Sequence, residues 1–133
     1  MKVWKFLRLI SGIDLTDKYK DPSVQSIVNA LDDNKAEDIQ VISLKGKADF
    51  AEFMVIASGR SSRHVDSVSD KVYRELRKDK LYCNRPEGKP LCDWTVIDAG
   101  HVLVHIFRDE IRSIYDLEKL WSEDFSSNQK TSN

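Results

Sequence analysis

The stretch FMVIASG at residues 53–59 limits this chain more than any other feature. It is apolar without interruption from Phe53 to Ala57, so it lacks the in–out alternation of a strand with one wet face. A run of this length, rich in branched and aromatic residues and closed by Gly59, reads as a strand covered on both faces. The chain must therefore supply elements for two layers around it. With 133 residues it fits one domain, large enough to bury roughly two thirds of its unfolded surface.

The flanking sequence offers those elements. Asp21-Pro22 pairs an N-cap with proline at the first helical position, and Val24, Ile27, Val28 and Leu31 then follow helical spacing, predicting a helix over about 22–34. DIQVISL (38–44) reads as a strand joined to 53–59 by a polar, glycine-containing loop. After Gly59, Ser61 or Ser62 can cap a helix whose Val65, Val68, Val72 and Leu76 form one apolar stripe. Its many charges read as a mostly solvated face. Leu81–Arg85 suggests a short strand, and PEGKP (86–90) carries turn chemistry. In RDEIRSIYDLEKLW (108–121), Asp109 is placed to cap a helix with Ile111, Ile114, Leu117 and Trp121 on its buried face. The order helix, strand, strand, helix, short strand, strand, strand, helix predicts an α/β fold, a mixed β-sheet flanked by helices. Residues 21–124 form the domain, 1–20 read as an N-terminal extension, and 125–133, with nothing to bury, as a disordered tail.

Charge excludes some function classes. The 21 basic and 22 acidic residues leave no global field to drive the chain onto nucleic acid or an anionic membrane, so electrostatic recognition must be local. The first 13 residues, MKVWKFLRLISGI, are basic and amphipathic but too short and too charged to span a membrane, which needs about 20 apolar residues. They fit either an extension that docks or frays, or an organelle-targeting or membrane-surface segment. Two cysteines, Cys83 and Cys92, are too few for a secreted disulfide framework and suit a reducing compartment, giving a cytoplasmic expectation.

The richest chemistry lies in DWTVIDAGHVLVHIF (93–107). Cys83, Cys92, His101 and His105 look superficially like a zinc set. Eight residues between the cysteines is wide of structural-zinc spacing, and two histidines four apart on a strand stand roughly 13 Å from each other. No metal is expected. SGRSSRH places Ser61, Ser62 and His64 together, yet there is no nucleophile elbow, and capping explains the serines. Neither glycine-rich phosphate motif occurs, so no cofactor is expected.

If Ala99-Gly100 is a two-residue hairpin loop, Asp98 pairs with His101, Val96 with Leu103 and Trp94 with His105. Alternation then puts Trp94, Val96, Asp98, His101, Leu103 and His105 on one face, and Thr95, Ile97, Val102 and Val104 on the other. The second face is core. The first, with one large aromatic among aliphatics and polar groups, fits an interface as well as it fits a core covered by the C-terminal helix.

GKADFAEFMVIASGRSSRHV (46–65), PEG (86–88), DWTVIDAGHVLVHIF (93–107) and YDLEKLW (115–121) together resemble the ribosomal silencing factor, or Iojap, family, in its order and spacing over roughly residues 22–122. The resemblance implies a nucleotidyltransferase-like core without catalytic carboxylates, and a protein that is not an enzyme. It implies a translational repressor that binds the large ribosomal subunit through the ribosomal protein of the L-fourteen family and sterically blocks joining of the small subunit. Organelle relatives act in ribosome assembly. Carried over by position, the docking surface comprises Trp94, Asp98, His101, Leu103 and His105 with Tyr115, Asp116 and Glu118. Segment 109–124 has six acidic and two basic residues, a charge of minus four that suits a basic ribosomal protein. No sequence-specific nucleic acid and no membrane are implied as partners; a homodimer is compatible.

One position departs from the family pattern: Asp98-Ala99-Gly100-His101 stands where a second acid is usual, and across the hairpin His101 could pair with Asp98. The competing readings are an organelle ribosome-assembly factor, and a residual nucleotide-binding or nucleotidyl-transferring enzyme built on Gly59 and the helix start at Ser61–His64.

Overall fold

The computed structural model describes residues 20–122, so the predicted extension and tail lie outside the described residues, apart from Lys20. The elements are α1 (Pro22–Asp33), β1 (Glu37–Ser43), β2 (Phe53–Gly59), α2 (Ser62–Lys78), β3 (Trp94–Asp98), β4 (Val102–Arg108), α3 (Asp109–Tyr115) and α4 (Leu117–Ser122). The sheet order is β1-β2-β4-β3, with β2 and β4 parallel and the two outer pairings antiparallel. This is the mixed sheet expected, with β2 and β4 at its centre.

Every residue of β2 is buried, as the unbroken apolar run requires. Its odd positions Phe53, Val55 and Ala57 join Val102, Val104, Ile106 and Ile97 in a core closed by α1 and α2. Its even positions Met54 and Ile56 join Phe107 in a smaller cluster on the opposite face, against which Ile111, Leu117 and Trp121 of the C-terminal helices pack. The capping predictions for α1 and α2 hold. Asp21 accepts from the Ser23 and Val24 amides, and Ser61 from the His64 amide. The α2 stripe Val65, Val68, Val72 and Leu76 is fully buried.

Three expectations are corrected. Leu81–Arg85 forms no strand: Asn84 donates to Asp98 O and Glu87 pairs with Val96 as an isolated bridge. Pro86, which has no N–H, interrupts any ladder there.

The hairpin turns one residue later than predicted. Ala99 N donates to Val102 O at 2.8 Å, leaving Gly100 and His101 as the loop. Gly100 has φ +80°, so the positive dihedral falls on glycine, whereas an Ala99-Gly100 loop would have put an alanine in the first position of a primed turn. The register is Trp94 with Phe107, Val96 with His105 and Asp98 with Leu103. Each partner moves by two residues, which preserves the division into faces but removes His101 from the strand and adds Phe107 to the Trp94 face.

The C-terminal helix is broken at Asp116, which adopts the left-handed conformation (φ 49°, ψ 51°). Asp109 does not cap it. Arg108 holds the N-cap position without a side-chain bond, while Asp109 and Glu110 lie in the first turn, where carboxylates favour the helix dipole. The break re-aims α4 so that Leu117 and Trp121 still reach the sheet, but Ile114 is left 70% exposed and Arg112 is the buried residue of α3.

Candidate docking face

Trp94 stands on edge strand β3, on the face away from α1 and α2. Register places Phe107 directly across from it, and the indole stacks on that ring with centroids 4.9 Å apart. Tyr115, at the end of α3, covers part of the indole at 4.6 Å. His105, one pair along, accepts the indole N–H at Nδ1, 3.0 Å away. The result is a rigid aromatic group, half-buried at Trp94 and 53% exposed at Tyr115.

His105 faces inward, with 7% of its surface exposed. Because Nδ1 accepts from Trp94, the proton sits on Nε2, which is buried without a hydrogen-bond partner among the described residues. A second proton would take away the acceptor that Trp94 uses. Burial of the imidazole lowers its pKa from 6.5 to about 4. This histidine holds Trp94 in place and is not available to a partner.

His101 and Asp98 are not paired with each other. His101 Nε2 meets Asp21 Oδ2 at 2.6 Å, tying the hairpin to the cap of α1, while Asp98 accepts from the Gly100 amide and fixes the turn. Leu103 is half-buried against the second apolar cluster. His64, weighed as a catalytic base, accepts the Arg60 amide at Nδ1 and therefore donates from Nε2 to Asn34 O. It joins α2 to the end of α1, with both ring nitrogens bonded to backbone.

Arg112 is the site residue that sequence reasoning missed. It is 6% exposed and donates from Nη1 to Ser58 Oγ (2.8 Å) and from Nε to Glu118 Oε2 (3.1 Å), with Asp38 3.7 Å from Nη2. Around it opens a cleft of about 480 Å³ lined by Glu37, Asp38, Asp109, Asp116 and Glu118. Glu118 is thus engaged with Arg112, whereas Asp116 and Tyr115 are exposed. Of the predicted set, the structure brings Trp94, Leu103, Tyr115 and Asp116 to the open side, keeps His105 and Glu118 as supports, and sends His101 and Asp98 to the hairpin turn. Arg112 had one signal in the sequence: a cation one position after Ile111 in an acidic segment. Its burial depends on the break at Asp116.

Among the described residues no group of three or more His, Cys, Asp or Glu side chains converges to hold a metal, and no helix is long and apolar enough to cross a membrane. The mixed α/β domain thus presents a supported aromatic group beside an acidic cleft. The comparisons narrow the class. Residues 16–133 match the family described as "Ribosomal silencing factor during starvation". The ribosomal silencing factor RsfS of Zymomonas mobilis is 42% identical over 106 residues, covering 80% of each chain. The mouse protein named "Mitochondrial assembly of ribosomal large subunit protein 1" is 32% identical over 102 residues, 74% of this chain and 45% of its own length. A crystal structure from Chromobacterium violaceum superposes with TM-score 0.73 at 28% identity, covering 77% of this chain and 85% of that one. This chain belongs to the ribosomal silencing factor family.

Proposed function

We propose that this protein represses translation by binding the large ribosomal subunit through the ribosomal protein of the L-fourteen family and occluding the surface where the small subunit lands. The observation that carries the reading is the Trp94 group: a large aromatic, pre-organised by Phe107, Tyr115 and His105, with an acidic cleft alongside. Interfaces concentrate their energy on a few such anchors, and ordering the ring before contact lowers the entropy cost of binding. Ribosomal proteins are basic, so the carboxylates around Arg112 would steer the encounter and set orientation.

The protein acts by occupancy and catalyses nothing, and its place is the cytoplasm. The regulatory names of the bacterial relatives support the reading that the protein acts by occupancy. Co-sedimentation with purified large subunits, followed by a subunit-joining assay, tests the proposal. Binding with inhibited joining is the expected result; binding that leaves joining unchanged defeats the repressor mechanism.

A second reading has its own observation. The mouse relative's name assigns it to assembly of the mitochondrial large subunit, and the first residues of this chain are basic and amphipathic. An organelle assembly factor would show residues 1–20 removed on import and large-subunit precursors accumulating in its absence.

A further inference from the structure

Opposite the docking face the molecule carries a second charged surface, of the other sign. Residues 71–85 hold six basic and two acidic side chains, a local charge of plus four that mirrors the minus four of 109–124. α2 and the described part of the acidic segment, residues 109–122, lie on opposite faces of the sheet, since α2 closes the larger core and the C-terminal helices the smaller one.

Lys71, Arg74 and Lys78 follow i, i+3, i+7 spacing on α2, off its buried valine stripe. Arg77, Lys80 and Arg85 extend the patch around the helix C-terminus. All six are exposed, and among the described residues none is in an ion pair, whereas Arg60, Lys89, Arg108 and Arg112 all are. The nearby carboxylates do not neutralise the patch: Asp70 is held by Lys89, and Asp79 accepts from Ser26 Oγ. Glu75, the remaining acid on this stretch, is partly buried and has a partner of its own. The helix dipole accounts for Arg77 and Lys78 in the last turn but not for Lys71, Arg74, Lys80 or Arg85. Like charges three and four residues apart are mutually destabilising, so the patch is maintained against a folding cost.

Aromatic rings sit inside it. The Arg77 and Arg85 guanidinium carbons lie 5.9 and 5.7 Å from the centre of the Tyr73 ring, which holds two cations together, and Tyr82 is 64% exposed. Cations outside ion pairs beside an open aromatic ring, here Tyr82, are the chemistry that binds single-stranded nucleic acid, the cations on phosphates and the ring on a base. A membrane is the poorer match, because the apolar side of α2 is consumed by the core and none is left to insert.

We propose that the outward face of α2 and the segment following it bind single-stranded RNA without sequence preference, through Lys71, Arg74, Arg77, Lys78, Lys80 and Arg85 on the phosphates and Tyr82 stacked on a base. The site goes beyond the repressor reading and stands without it. On a ribosome it would give the protein an RNA contact on the side opposite its protein contact.

The test is fluorescence anisotropy of the full chain with a labelled single-stranded RNA 20-mer at 50 and 200 mM KCl. Binding is expected at low salt, weakening roughly a hundredfold at the higher salt for about five phosphate contacts. The triple variant Lys71→Gln, Arg74→Gln, Lys78→Gln should lower the slope of log affinity against log salt by about two. Tyr82→Leu should weaken single-strand binding about tenfold and leave duplex RNA unaffected. Circular dichroism checks that each variant is folded, and Lys71→Arg with Lys78→Arg should retain affinity. Trp94→Ala should bind RNA as the wild type does, so failure of the ribosomal-protein contact leaves this result intact. No wild-type binding at 50 mM KCl, an unchanged triple variant, or the same three-residue dependence on phosphatidylserine vesicles without RNA binding would overturn the proposal.

Discussion

His105 should make this protein less stable in acid. In the folded state its imidazole is buried and neutral, with a pKa of about 4; in the unfolded chain it titrates near 6.5. Between these values the unfolded state binds more protons, so stability falls as pH falls through that window. Integrating the linkage from pH 7 to pH 4.5 gives a loss of about 2 kcal/mol from this group, and at still lower pH the loss approaches about 3 kcal/mol. The structural cause is double: the cation is desolvated, and a proton on Nδ1 displaces the Trp94 N–H bond.

Acid acts on other groups as well, so the comparison must be between wild type and His105→Asn, which keeps an acceptor near the Nδ1 position but does not ionise. Urea unfolding followed by circular dichroism at pH 7 and pH 4.5 measures both. The variant's loss between the two pH values should be smaller than the wild type's by about 2 kcal/mol, whatever its stability at pH 7. Equal losses in the two proteins would mean that His105 is not the buried, neutral acceptor described, and the support proposed for Trp94 would fail with it.

Trp94→Ala should weaken binding to isolated large subunits by at least ~2 kcal/mol while the chain remains folded, as sedimentation at graded protein concentration would show; wild-type affinity would remove the central role given to the indole. Arg112→Met leaves Glu118 and Ser58 without their donor and should cost about 3 kcal/mol in urea unfolding. A cost below about 0.5 kcal/mol would show that the guanidinium is a passive surface cation. Asp21→Ala removes two cap bonds and the His101 contact and should cost about 1–2 kcal/mol by thermal unfolding, with His101→Ala recovering only part of that loss because the caps remain in it.

What was legible in the chain follows from the range of the forces involved. Asp21-Pro22 and Ser61 marked helix starts correctly because a cap is made within three residues. The all-buried β2 was readable because burial on two faces leaves no position where a polar residue is stable. The faces of the β3–β4 hairpin were readable even though its register was not, because an even shift leaves every side chain on its own side.

The misses share a different cause. His101 was assigned to Asp98, three residues away, but bonds Asp21, eighty residues away in the chain. Arg112 entered the sequence reading only as a charge in an acidic segment, yet Ser58 of β2 and Glu118 beyond the break enclose it. Helical spacing predicted that Ile114 was buried, but a left-handed Asp116 turned the axis that the prediction took as continuous.

The sequence by itself determined the elements, their caps and their apolar faces, because these depend on backbone dihedrals and side-chain period over a few residues. It also carried the family, through four motifs in a set order. Only the tertiary structure decided which polar residues of DWTVIDAGHVLVHIF are available to a partner. It turned His105 into a buried support, committed His101 to α1, left Trp94 half-open beneath Tyr115 and set an acidic cleft beside it. Those outcomes depend on which distant groups desolvate or pair with each side chain, and residue type alone does not specify that.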